Sequence, residues 1–252
     1  MTMRTIKDIF YTCDNDPKRS LDIHLPEGES FPVFVYIHGG GLEALTKEAP
    51  TGMAEYFTER GVALASVEYR MYPSARYPDF IEDVAAAVAW IKAKKDEYGF
   101  TKIFVGGSSA GGYLSQMLCF DNSWLAKHGV DNTEIDGFVL DAGQPTAHFN
   151  VLRERGIDSR RIIVDESAPL WHIGRQEKYA PMFITYSDND MENRPEQTML
   201  MVSTLRHFRY DMSKVEVKMV HGDHCQYVME LNENGENRLA EIVYPFIEKY
   251  SK

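Results

Sequence analysis

The chain of 252 residues is 44% hydrophobic and 26% charged, with 18 glycines and 11 prolines, which excludes a disordered or collagen-like polymer and leaves material for one large core. Lysine plus arginine number 27 against 38 aspartates and glutamates, a formal charge of −11; that sign is wrong for neutralising phosphates and excludes nucleic acid and anionic membrane surfaces as expected partners. Met1–Tyr11 lacks an apolar signal core, no apolar run reaches a membrane span, and Cys13, Cys119 and Cys225 are odd in number and widely spaced, so a cytoplasmic chain with reduced thiols, one domain over 1–252, is expected.

Thr5 to Tyr11 and Ser20 to Leu25, joined through Asp14-Asn15-Asp16-Pro17, read as an antiparallel hairpin at a sheet edge. The apolar run Val33 to Ile37 follows and leads directly into His38-Gly39-Gly40-Gly41. Consecutive glycines let the backbone approach a bound carbonyl oxygen and turn amides toward it, as a tetrahedral intermediate requires. His38 reads as a structural imidazole bonded to loop carbonyls. A strand over Val62 to Val67 precedes Glu68-Tyr69-Arg70-Met71-Tyr72-Pro73, and Ile81, Val84, Ala85, Val88 and Ile91 fall at the spacing of an amphipathic helix entered through Tyr77-Pro78 and closed near Gly99.

The strand Lys102 to Gly106 meets Gly107-Ser108-Ser109-Ala110-Gly111-Gly112, with a plausible helix over Tyr113 to Cys119. Strand, sharp turn and helix with G-x-S-x-G at the turn project a serine hydroxyl clear of the backbone when the flanking positions carry almost no side chain. The same turn aims amides and a helix N-terminus at the place where an oxyanion forms. Gly137 to Asp141 is a further strand. From Gly143 to Tyr179 the chain is rich in Arg, Pro, His and Trp without a strand pattern, and reads as a short lid inserted over one end of the sheet. Met182 to Tyr186 leads into Ser187-Asp188-Asn189-Asp190, and Val215 to Val220 into His221-Gly222-Asp223-His224. Alternation of short apolar runs with helical patterns predicts an α/β fold, a mostly parallel central sheet with helices on both faces.

A serine needs a base to take its proton, and the base a carboxylate to hold its tautomer; Asp188 or Asp190 and His221 or His224 supply these types downstream of Ser109. The His-x-x-His pair with Asp188, Asp190 and Cys225 also offers metal-ligating atoms, but at a strand end this spacing does not set both rings on one face, so no metal and no organic cofactor is expected. Cys225 reads as a packing residue beside the base.

On HGGG at 38–41, GSSAG at 107–111, the stretch at 68–73 similar to a DYRLAP sequence, and the helix after Tyr77-Pro78, nearly the whole chain resembles the α/β-hydrolase fold. Within it the resemblance is to the HGGG-bearing serine esterases related to hormone-sensitive lipase and to bacterial acetyl and feruloyl esterases. Ser108 stands where the lipase-like branch has an acidic residue, and Leu42-Glu43 where an aromatic or small residue is common. The resemblance implies nucleophile Ser109, acid Asp190 and base His224, with Asp188 bracing its turn and His221 supporting the strand end. It places the amides of Gly40, Gly41 and Ala110 around the oxyanion.

The implied activity is cleavage of short-chain carboxylic esters, acetyl or aryl esters of carbohydrates among them, with a small-molecule ester as the expected partner and the oligomeric state left open. An amidase or peptidase using the same triad, and a non-catalytic binding protein of the same fold, are the alternatives. Within the lid, His148, Phe149, Trp171 and His172 are candidates to line the substrate pocket. Arg153, Arg155, Arg160 and Arg161 form the one basic concentration, read either as recognition of an anionic leaving group or as a solvated face paired with Glu154 and Asp158.

Overall fold

In the computed structural model, which describes residues 3–48 and 50–252, the alternation inside each apolar run divides two cores. Val33, Val35 and Ile37 face one helical layer while Phe34 and Tyr36 face the other, and Ile103 and Val105 oppose Phe104 in the same way. Strands buried on both faces carry no polar side, which is why their sequences are continuous apolar runs.

The sheet has eight strands, β1 (Arg4–Phe10), β2 (Ser20–Leu25), β3 (Phe31–Ile37), β4 (Ala63–Val67), β5 (Phe100–Ser108), β6 (Gly137–Asp141), β7 (Met182–Asn189) and β8 (Val215–Asp223), in the order β1-β2-β4-β3-β5-β6-β7-β8. β1 and β2 pair antiparallel at one edge and β2 is antiparallel to β4; every other pairing is parallel. Met1 and Thr2 of the N-terminal stretch lie outside the described residues.

The helices are α1 (Met53–Glu59), α2 (Asp79–Ala93), α3 (Lys95–Tyr98), α4 (Ala110–Phe120), α5 (Ser123–Ala126), α6 (Phe149–Glu154), α7 (Pro169–His172), α8 (Arg194–His207), α9 (Gln226–Met229) and α10 (Arg238–Ser251). α1 and α10 cover one face, with Phe57, Leu239, Val243 and Phe246 buried there; α2, α4 and α8 cover the other through Ile81, Val84, Leu114 and Met201. α2 also carries Asp83, wholly buried. Its carboxylate takes both fork N–H groups of Arg70 at 2.8 Å and the Arg70 amide at 3.0 Å, with Arg19 at 3.1 Å. That pairing anchors the 68–73 stretch to the helix that follows it.

The parallel register sets the site. Ile37 aligns with Gly107, Ser108 with Asp141, Asp141 with Thr185, and Asn189 with Asp223. The carboxyl ends of β3, β5, β6, β7 and β8 therefore finish side by side, and the loops leaving them share one edge, where open parallel sheets place their ligands. No helix among the described residues is long and apolar enough to cross a membrane.

Candidate active site

Ser109 joins β5 to α4 with φ 55° and ψ −113°, a backbone conformation that a residue with a Cβ rarely adopts. Its amide donates to the Asp141 carbonyl at 2.9 Å. Gly111 explains why the turn can be so tight: a Cβ there would lie 1.9 Å from the Ile37 carbonyl oxygen. β3 and the first turn of α4 thus approach backbone to backbone, and the serine hydroxyl is left as the group projecting from the turn.

The loop after β3 is bent by Gly40 (φ 96°), where a Cβ would sit 1.9 Å from the Ala44 carbonyl oxygen. Its own carbonyl accepts from the amides of Glu43 and Ala44 at 3.1 and 2.9 Å. Among the described residues the amides of Gly40 and Gly41 have no protein acceptor. The Ala110 amide is at the first position of α4, where a helix leaves its N–H groups unpaired. His38 is buried, stacked on Tyr69 with ring centroids 4.4 Å apart, and its Nδ1–H donates to the Gly39 carbonyl at 2.8 Å. The Tyr69 hydroxyl donates to the His38 carbonyl at 3.0 Å. Burial pushes the His38 imidazole toward its neutral form.

Two Asp–His pairs stand at the ends of β7 and β8, and they face different surroundings. Asp190, with no exposed side-chain surface, places Oδ1 at 2.5 Å from His224 Nδ1, and His224 Nε2 lies 2.8 Å from Ser109 Oγ. Asp190 also accepts the Met191 amide at 2.7 Å. Asp188 instead takes His221 Nδ1 at 2.7 Å and the Gly222 amide at 3.0 Å, with the His221 ring in solvent. That ion pair raises His221 above its ordinary pKa and lowers Asp188. One pair points at the serine and the other at water. The inner arrangement can take a proton from Ser109 while the Asp190 charge stabilises the resulting imidazolium, and three amides can receive negative charge beside it.

The BD-FAE family model matches residues 21–205, most of the chain. The chain belongs to the BD-FAE family. Among curated proteins similar to it is esterase LipC of Mycobacterium tuberculosis, 28% identical over 221 residues that cover 76% of this chain and 53% of LipC. The chain thus spans about half the length of the curated relatives it matches. Similar solved structures include esterase B from Lactobacillus rhamnosis (TM-score 0.77, 18% identity, 99% of this chain and 87% of that one). Another is a truncated carbohydrate esterase from gut microbiota (TM-score 0.76, 17% identity, 98% and 96%). These likenesses establish the α/β-hydrolase fold.

In this BD-FAE chain Ser109 and His224 open into a cleft of about 730 Å³. Leu45, Pro50, Phe149, Met191, Val228 and Met229 give it apolar walls, and Leu45, Met191 and Met229 remain exposed at its mouth. Sequence reading missed the methionines. Nothing marks a methionine as a lining residue except its place one step after Asp190 or at the end of α9. Cys225 lines the cleft with Sγ 3.7 Å from His224 Nε2, and burial pushes its thiol well above its ordinary pKa.

The 143–179 segment meets the cleft at fewer points than its aromatic content implied. Phe149 lines it, and Asn150 Nδ2 donates to the Gly41 carbonyl at 3.0 Å. His148, Trp171 and His172 do not line it. His148 is spent as the N-cap of α6, accepting the Asn150 amide at 3.2 Å while its ring packs on Tyr113 and Phe149. Trp171 faces solvent beneath the Arg175 guanidinium. His172 Nε2 bonds the Glu166 carbonyl at 2.8 Å and its Nδ1 lies 3.6 Å from Asp121. The arginines divide too: Arg153 pairs with Glu43, Arg155 with Asp165, and Arg160 with Asp158 as expected, while Glu154 accepts the Tyr77 amide rather than an arginine.

Below the serine, Asp141 is wholly buried and accepts hydrogen bonds from Thr185 Oγ1 at 2.5 Å and from the Tyr227 hydroxyl. Desolvation pushes its carboxyl above the ordinary value. Among the described residues no group of three or more His, Cys, Asp or Glu could hold a metal ion.

Proposed function

We propose that the chain is a carboxylic ester hydrolase that works through an acyl-enzyme. The observation that carries this reading is the continuous line from Asp190 to His224 at 2.5 Å and from His224 to Ser109 at 2.8 Å, beside amides with no protein acceptor. Ser109 Oγ attacks the ester carbonyl as His224 Nε2 takes its proton. The carbonyl oxygen gains negative charge and is held by the N–H groups of Gly40, Gly41 and Ala110. His224 then gives the proton to the leaving alcohol, and water repeats the two steps to release the acid. Asp190 fixes the tautomer throughout.

BD-FAE membership and the esterase names of similar proteins support ester rather than amide cleavage. The apolar cleft suits short acyl or small aryl groups, and the similarity to a carbohydrate esterase from gut microbiota supports acetylated or aryl-acylated sugars as the natural esters. Rates of 4-nitrophenyl acetate and butyrate hydrolysis by wild type and Ser109→Ala test the reading. Loss of nearly all turnover in the variant is expected, and equal turnover by both proteins overturns it.

A further inference from the structure

Phe149 and Met191 line the cleft at Ser109 on one side and a second pocket of about 400 Å³ on the other. The two cavities are therefore adjacent, with these side chains between them. Arg194, at the first position of α8, forms part of the second pocket's wall and is only 4% exposed. Arg160 and Arg161 lie at the pocket too, and Glu192 is its one carboxylate.

The charge balance of this pocket points to a ligand. Arg194 donates to the Ala142 carbonyl at 2.6 Å and, at a long 3.4 Å, to Gln144 Oε1. Among the described residues no carboxylate lies within ion-pairing distance of it. Asp190 acts on it through its charge but is already bonded to His224 and the Met191 amide. A guanidinium offers five N–H donors in a planar fork, and a buried cation short of an anionic partner is costly unless a ligand completes it. Arg161 is exposed and makes no ion pair among the described residues, whereas Arg160 is forked onto Asp158. With Arg160 held by Asp158, Arg161 and Arg194 against Glu192 leave a small positive balance at the pocket in a chain of net charge −11. A concave site of that sign draws in an anion, and a planar fork fits a carboxylate.

We propose that this pocket holds a carboxylate carried by the ester itself, so that the substrate is an acidic ester: a half-ester of a dicarboxylic acid if the charge is on the acyl side, or an ester of a hydroxy acid or uronic acid if it is on the alcohol side. Ser109 cleaves the ester bond while Arg161 and Arg194 receive the carboxylate beyond Phe149 and Met191. This specificity rests on the esterase reading above.

The test measures kcat/KM for two matched pairs. The acyl-side pair is mono-4-nitrophenyl glutarate against 4-nitrophenyl methyl glutarate, followed by nitrophenolate release. The alcohol-side pair is an O-acetylated galacturonic acid against its methyl ester, followed by acetate release. In one pair the free carboxylate raises kcat/KM about tenfold, mainly through KM, the size expected of one charge-assisted contact. Arg161→Gln brings that ratio close to one, and Arg161→Lys retains part of it, since the charge stays and the fork is lost. Because each ratio is internal to one protein, a change in overall activity does not alter it. A ratio of one or less in both pairs, or a ratio that Arg161→Gln leaves intact, overturns the proposal. If 4-nitrophenyl acetate is hydrolysed in a Ser109-dependent way and both ratios are one, the carboxylate pocket alone falls. If no Ser109-dependent hydrolysis occurs, the esterase reading falls and the pocket's role with it.

Discussion

The Asp190 side chain is fully buried with Oδ1 2.5 Å from His224 Nδ1, whereas Asp188, two residues earlier, holds the solvent-exposed His221. The two carboxylates are therefore not interchangeable. Asp190→Asn is expected to lower kcat about 10⁴-fold by releasing the His224 tautomer, and Asp188→Asn and His221→Ala to stay within about twofold of wild type. Steady-state rates on 4-nitrophenyl acetate check this. A loss of activity in Asp188→Asn with Asp190→Asn unimpaired would reassign the acid.

Gly40 is where the loop after β3 can least accept a side chain. A Cβ 1.9 Å from the Ala44 carbonyl oxygen forces the loop to move and carries the Gly40 and Gly41 amides with it. Gly40→Ala is expected to lower kcat by about 10²- to 10³-fold, the range for losing an oxyanion donor, with KM much less affected. A variant with wild-type kcat would remove these amides from the mechanism.

The candidate site was legible in sequence wherever chemistry restricts residue type: glycines at the two backbone approaches, a serine between them, and acid and base after late strands. Strand ends were less so, because β5 continues in register to Ser108, and β7 and β8 run on to Asn189 and Asp223 across a register shift after Ser187, beyond the last apolar residue of each run. The 143–179 segment was the least readable. Aromatic and imidazole groups indicate that something is packed but not in which direction, and His148 was claimed by a helix cap, Trp171 by Arg175 and His172 by the Glu166 carbonyl. Arg194 carried no signal at all, since a lone arginine at a helix start reads as surface until its burial is known.

Asp83 joins the stretch at 68–73 to α2 through Arg70 and Arg19. Asp83→Ala strips both guanidiniums of a fully buried partner and should lower the unfolding free energy by about 3 kcal/mol. Urea denaturation followed by circular dichroism measures it; a change under about 1 kcal/mol would show that the pairing adds little to stability.

Asp141 gives a pH signature. Burial raises its pKa in the folded chain above the ordinary 3.8, so the folded state binds the proton more tightly than the unfolded one. The resulting stabilisation is complete below about pH 4 and is lost as pH rises through the folded value. Asp141→Asn does not titrate, so its Tm relative to wild type should rise as the pH is raised above about 4 and level off beyond the folded value. A Tm difference that is flat across that range contradicts the raised pKa.

In the proposed mechanism Ser109 carries the acyl group between two steps. Wild type and Ser109→Ala, mixed with 4-nitrophenyl butyrate and quenched in acid within the first turnovers, are digested and analysed by mass spectrometry. A butyryl group is expected on the peptide containing Ser109 in wild type, and no butyryl adduct in the variant. Butyryl on another side chain, or product formed by wild type with Ser109 never acylated, would contradict it.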